Sequence, residues 1–336
     1  MIDFSLNVSA TGPAPTLFAL LDDYKKLLFT YPDHTNAKTL KIFSRFLKVP
    51  QRNIGLGIGS TQILFDIPYF LTYKRAVVIA PTFWQYTHFN LLSKKRIKKI
   101  ILDPKRDFQI DFAALDKALR PGDALFLCNV NSPTSVMYDR NDLLELIKKH
   151  PEVQFVIDET YLLFRGDFSK NTLLKIAAKS SNVNVIFSLS KFFALPGLRV
   201  GILVGPQTVV EKYTKYFHIP YSISGMVPVL LDHILNHTNY VEMTREYYDH
   251  ERKRFYDHMS TALQDKLSCH EPDGNFMICK ILTDSSSVTL KKKLRRKGII
   301  IRGGDELSGL GEKWIRFSIL KPEENDLLVK ELGQIL

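Results

Sequence analysis

Short, almost wholly apolar runs recur through the middle of the chain, and they limit its fold more than any other feature. They read "RAVVIA" (75–80), "ALFLCNV" (124–130), "QFVIDET" (154–160), "VNVIFSLS" (183–190) and "RVGILVG" (199–205). None alternates cleanly between apolar and polar residues. A strand of this kind is buried on both faces, as in a parallel sheet covered by helices. Helical patterns such as "RNDLLELIKKH" (140–150) and "NTLLKIAAKS" (171–180) lie between most of them. Strands alternating with helices predict an α/β fold with a mostly parallel sheet. A short loop through Pro196 and Gly197 joins the last two runs.

The texture changes after residue 225. "VPVLLDHILNHTNYVEMTREYYDHERKRFYDHMSTALQDKL" reads as a long amphipathic helical stretch with a break. "FMICKIL", a basic helix near 287–297, "GIIIRGG", "WIRFSIL" and a final helix follow. This predicts a large domain over 37–225 and a smaller α+β domain from 226–336, with residues 1–36 wrapping back onto it. A chain of 336 residues is long enough for both.

The net charge of +11 resides in "YKRA", "SKKRIKKI" and "LKKKLRRKG", which read as solvated faces of helices and loops. There is no zinc-finger spacing, RNA-binding aromatic signature or long basic tail, so no nucleic-acid partner is expected. The excess charge suits anionic, phosphorylated substrates. No apolar run reaches about 18 residues, and "MIDFSLNVSA" lacks a signal peptide's apolar core, so a cytoplasmic protein without a membrane partner is expected. Cys128, Cys269 and Cys279 show no metal-ligand spacing. They are expected to be reduced and packed, with no metal bound.

Lys191, in "SLSKFFALPGLRVG", stands just past an apolar run and before a Pro-Gly turn. That is the C-terminal end of a strand, where open α/β sheets bind ligands. A lysine held away from water has a lowered pKa and becomes a nucleophile able to form a Schiff base. Ser188 three residues earlier and Arg199 eight later could clamp a phosphate beside it. Asp158, in "IDETYLLF", ends another apolar run, and a buried carboxylate there needs a cationic partner. Tyr161 follows three residues on and could donate a hydrogen bond.

"GLGIGSTQIL" (55–64) is a glycine-rich turn entering a helix, and Gly59-Ser60-Thr61 is its candidate phosphate cradle. It lacks the Gly-Lys-Ser/Thr ending of a P-loop. "APTFWQY" offers Phe83, Trp84 and Tyr86 for stacking on a planar ring. "NVNSPTS" (129–135) ends a further run and could bond a ring hydroxyl. Arg302 and Arg316 lie fourteen apart on apolar strand patterns, and arginine is suited to bidentate capture of carboxylate or phosphate.

In this order, the phosphate turn, aromatic, Asn-containing turn, Asp-x-x-Tyr, Ser-x-x-Lys with a later Arg, and C-terminal Arg together resemble the fold-type I pyridoxal-phosphate enzymes. Within these they resemble the class I/II aminotransferase superfamily, over nearly the whole chain. The resemblance implies a large domain with a seven-stranded-type sheet, a smaller α+β domain, and pyridoxal 5′-phosphate as cofactor. It implies that Lys191 carries the cofactor, Asp158 pairs with its ring nitrogen, Phe83 stacks on the ring and Tyr161 contacts the ring oxygen. Ser60, Thr61, Ser188, Ser190 and Arg199 would hold the cofactor phosphate, and Arg316 the substrate α-carboxylate. Arg302 and Asn7 are candidates for a substrate phosphate or carboxylate. "TYPD" resembles the segment whose tyrosine, here Tyr31, crosses a homodimer interface to the neighbour's cofactor phosphate.

The chain departs from the family at "NVNSPTS", where Ser132 replaces the usual Asn before Pro133. Either Asn131 or Ser132 is then expected to reach the ring oxygen. "IDFSLNVSATGPAP", "PTFWQY", "KFFALPGLRVG" and "IRGGDELSGLGEKWIRFSI" look most like threonine-phosphate decarboxylases, with histidinol-phosphate aminotransferases the close alternative. The resemblance therefore implies decarboxylation of L-threonine O-3-phosphate, or of L-serine phosphate, to the amino-alcohol phosphate of the cobalamin nucleotide loop. A non-catalytic binding protein of the same fold is the other alternative, and the presence of Lys191 and Asp158 argues against it.

Overall fold

A computed structural model describes residues 1–20, 25–237 and 239–336. In chain order the strands are β1 (Ile2–Asp3), β2 (Ile54–Ile58), β3 (Arg75–Ala80), β4 (Arg96–Ile101), β5 (Asp123–Cys128), β6 (Gln154–Asp158) and β7 (Val183–Phe187). β8 (Val200–Val204), β9 (Leu267–Cys269), β10 (Phe276–Ile281), β11 (Ile299–Ile300), β12 (Arg302–Gly303) and β13 (Trp314–Ser318) complete the set. Seven of them form the main sheet in the order β2-β8-β7-β6-β5-β3-β4. Neighbours from β7 through β4 run parallel, and β8 is antiparallel to both its neighbours. The chain therefore has a mixed α/β fold with a large central sheet, as expected. The five apolar runs all lie in this sheet. β5, β6 and β7 have every residue buried but Gln154, because helices cover both faces.

Two strands of the main sheet were not expected. β2, "IGLGI", looked like a turn because glycine is poor in strands. Its glycines admit close packing instead: a Cβ on Gly57 would lie 2.7 Å from Ile63, on the helix Ser60–Phe70. β4 lies inside "SKKRIKKI", expected as a solvated helix face or loop. It is an edge strand, where lysines discourage pairing with another chain. Two further expectations are corrected. The 171–180 helix is only a turn, Leu174–Ala177, because the Glu159 carboxylate takes the Leu173 N–H at 2.7 Å. The Ser188–Ser190 end of the fourth run has left the sheet after Phe187.

β12-β13-β10-β9 form a second sheet, and β1 pairs with β11, so the N-terminus lies on the C-terminal region. On β9 and β10, Cys269 and Cys279 stand directly opposite one another and are joined by a disulfide. The expectation of reduced cysteines fails there, because the antiparallel register brings two residues ten apart face to face. Cys128 remains a buried free thiol. No helix among the described residues is long and apolar enough to cross a membrane, and no group of three or more potential metal-ligating side chains lies among them.

Candidate active site

The sheet's alternation of direction brings the C-terminal ends of β2, β5, β6 and β7 and the N-terminal end of β8 to one edge. A cavity of about 190 Å³ opens there, lined by residues from all five strand ends or the loops beside them. Asp158, the last residue of β6, forms part of its floor. One carboxylate oxygen accepts from the Tyr86 hydroxyl at 2.7 Å. The other accepts from the Thr160 hydroxyl at 2.6 Å and the Thr160 N–H at 3.0 Å. Burial raises its pKa, against the lowering effect of these bonds. No cation pairs with it among the described residues, so it suits a positively charged ring nitrogen.

Lys191 lies on the loop after β7, with Nζ 3.3 Å from the Leu6 carbonyl. Burial lowers its pKa, and the charges of Arg316 and Arg199 lower it further. Such an amine is a nucleophile and a proton acceptor. Arg199 starts the return strand. Its guanidinium lies against Gly59, where any Cβ would collide with it. Gly59, at φ 77°, precedes the helix Ser60–Phe70, and no side chain caps that helix. Ser60, Thr61, Ser190 and Arg199 line the cavity beside that helix start, hydrogen-bond donors of the kind that suit an anion.

Phe83 and Tyr161 line the same cavity. Phe83 meets Tyr86 edge-on at 5.6 Å, and Tyr161 meets Phe276 edge-on at 4.9 Å. Burial raises the Tyr161 pKa, while Arg316 pulls it down. Ser132 is on the wall and Asn131 is not. Asn131 spends its amide on Thr82, Thr134 and the Pro81 carbonyl, all at 2.8–2.9 Å. Of the two, only Ser132 lines the cavity. Ser188 lies behind Ser190, hydroxyl to hydroxyl at 2.9 Å.

Arg316, on β13, is buried just beyond this wall. Nη1 is 3.5 Å from the Ser132 hydroxyl and Nη2 donates to the Ser5 carbonyl at 2.7 Å. Nε has no partner, and burial pushes the guanidinium pKa down to about 10. Asn7 is buried beside it with an unpartnered Nδ2 and bonds to Ser318. Arg302 faces Arg316 in register across β12 and β13, is partly exposed, and pairs with Glu306 at 3.4 Å. Tyr31 stands apart: it is 87% exposed and touches only the Tyr221 ring, at 5.3 Å, among aromatic side chains.

Sequence reading missed the support around Asp158. Thr160, in Asp-x-Thr, carried a legible signal, since a side chain bonding two residues on is the usual Asx turn. Cys128 carried none, and Tyr86 was marked for stacking rather than as the partner of a carboxylate 72 residues away.

Comparisons with known proteins identify the family. A family model described as aminotransferase class I and II matches residues 19–332. A putative threonine-phosphate decarboxylase of Caldanaerobacter subterraneus is 25% identical, over 97% of this chain and 88% of its own. A histidinol-phosphate aminotransferase of Dehalococcoides mccartyi is 27% identical, over 100% of this chain and 90% of its own. The crystal structure of the histidinol-phosphate aminotransferase from Clostridium acetobutylicum superposes with a TM-score of 0.91 at 24% identity, over 100% of this chain and 99% of that one. The family model spans nearly the whole chain, so the chain belongs to the class I and II aminotransferase family, and its cofactor is pyridoxal 5′-phosphate.

Proposed function

We propose that the protein decarboxylates an O-phosphorylated amino acid, L-threonine O-3-phosphate first and L-serine phosphate second, to the amino-alcohol phosphate of the cobalamin nucleotide loop. Relatives named for decarboxylation and for transamination match at similar identity, so the reading rests on the site. Arg316 carries it. A buried guanidinium with a free Nε and no ion-pair partner among the described residues calls for a carboxylate, and Arg302 stands beside it for a second anion. A phosphorylated amino acid has both groups. Histidinol phosphate has no carboxylate, so in an aminotransferase Arg316 would serve only the keto-acid partner.

When bound, the cofactor supplies an electron sink for the pair left by a bond broken at the substrate Cα. Asp158 would face its ring nitrogen, Phe83 one ring face, Tyr161 and Ser132 its ring oxygen. Ser60, Thr61, Ser190 and Arg199 would hold its phosphate, with Ser188 supporting Ser190. Arg316 and Arg302, with Asn7 orienting the wall beside them, would hold the two anionic ends of the substrate. Those contacts select which bond at Cα is presented for cleavage, and binding energy far from that carbon contributes to the selection. Lys191 or Tyr161 would deliver the proton that replaces carbon dioxide at Cα.

The test uses purified holoenzyme and O-phospho-L-threonine, with O-phospho-L-serine in parallel and no keto acid. Carbon dioxide with stoichiometric amine phosphate is expected. If no carbon dioxide forms but histidinol phosphate turns over with 2-oxoglutarate, the protein is an aminotransferase and the proposal fails.

The proposal extends to a homodimer in which Tyr31 reaches the neighbour's cofactor phosphate. Tyr31→Phe should weaken cofactor binding about 10- to 100-fold, the loss of one hydrogen bond to a charged group, without changing the elution volume. A monomer in solution, or unchanged cofactor affinity, would remove Tyr31 from the site.

A further inference from the structure

A second cavity, of about 460 Å³, lies away from the active site among the 37–47, 140–149, 226–237 and 240–262 helices. Four cations line it: Lys48, Arg140, Lys175 and Arg245. Among the described residues, the only carboxylate on its wall is Glu242. Among the described residues none of the four cations makes an ion pair. The Nε of Arg140 is buried and has no hydrogen-bond partner at all. Arg245 donates only to the Leu163 carbonyl, at 3.1 Å, and lies 5.3 Å over the Phe168 ring. Its burial lowers its pKa, and Glu242 and Asp249 oppose this only at a distance.

Cations gathered around a concave space repel one another, and a buried guanidinium atom without a partner costs free energy. An anion in the cavity relieves the repulsion among the cations, while the Arg140 charge is otherwise opposed, among the described residues, only by the field of the Glu159 carboxylate. Phe168, Phe46 and the Leu174 and Leu235 side chains give the same cavity an apolar wall. The space is more than twice that of the active-site cavity and is lined by none of the same residues.

We propose that this cavity is a second binding site, for a small organic phosphate bearing several negative charges and an apolar part. It also touches the active site's support. Thr172, on its wall, donates to the Glu159 carboxylate at 2.5 Å, and Glu159 directly follows Asp158.

The test uses the holoenzyme with bound cofactor, so that the cofactor's own phosphate cradle is filled. Tripolyphosphate is titrated by calorimetry and by thermal shift, against sodium chloride at matched ionic strength. Saturable binding with a raised Tm is expected. Arg140→Gln combined with Lys175→Gln should weaken it at least tenfold, the loss of charged hydrogen bonds to the ligand, while the cofactor's absorbance stays unchanged. Arg316→Gln should leave it unaltered. Absence of saturable binding, or equal affinity in the Arg140/Lys175 double variant, overturns the proposal. Loss of binding in Arg316→Gln alone would place the anion in the active site and overturn it too.

Discussion

Lys191→Ala is expected to lower turnover by at least 10²–10⁴-fold, the usual contribution of a positioned acid–base group. The amine lies at the end of a loop anchored to β7, half-desolvated, with its pKa lowered by burial, Arg316 and Arg199. No other lysine lines the cavity. The measurement is steady-state turnover together with borohydride reduction and mass spectrometry. Reduction should fix the cofactor to Lys191 in the parent protein and leave it removable in the variant. Small exogenous amines should restore part of the lost rate, since they can occupy the space of the missing side chain. A variant that keeps its activity within tenfold of the parent would end this mechanism.

Asp158→Asn should weaken cofactor binding about 10²–10⁴-fold, because removing one partner of a buried ion pair costs about 3–5 kcal/mol. Asparagine can keep the bonds from Thr160 or Tyr86, so the loss reports charge rather than packing. Equilibrium dialysis of the cofactor measures it, and affinity within threefold of the parent would sink the assignment. The cofactor-free protein gives a second readout. Burial raises the Asp158 pKa in the fold, so its contribution to stability is present below the ordinary carboxylate value of about 3.9 and is lost as pH rises through the raised one. In Asp158→Asn that loss should disappear from the stability–pH curve.

Glu159 carries the same sign. Its carboxyl is pushed up to about 7 by burial, and it holds the Leu173 N–H and the Thr172 hydroxyl. The sequence showed nothing of this. Glu159 reads as one acid in "DET", and its partners lie thirteen and fourteen residues away in a stretch that looked helical.

What the sequence determined by itself was local. β3, β5, β6, β7 and β8 follow from continuous apolar runs, since a strand buried on both faces leaves no polar alternation. The positions of Asp158 and Arg199 followed from those runs, because each lies at or next to a strand end, whereas Lys191 lies on the loop four residues past the end of β7. The glycine-rich β2 and the lysine-rich β4 were hidden, because their strand character comes from what packs against or beside them rather than from propensity. Tertiary structure alone decided that Ser132 and not Asn131 faces the cavity, since Asn131's bonds run to Thr82 and Pro81 on another strand's loop. It alone brought Arg316 to Ser132 across 184 residues and joined Cys269 to Cys279. Side-chain periodicity reports which way a residue points within its own element. Which distant group it meets depends on sheet order and register, and those are settled only when the elements pack.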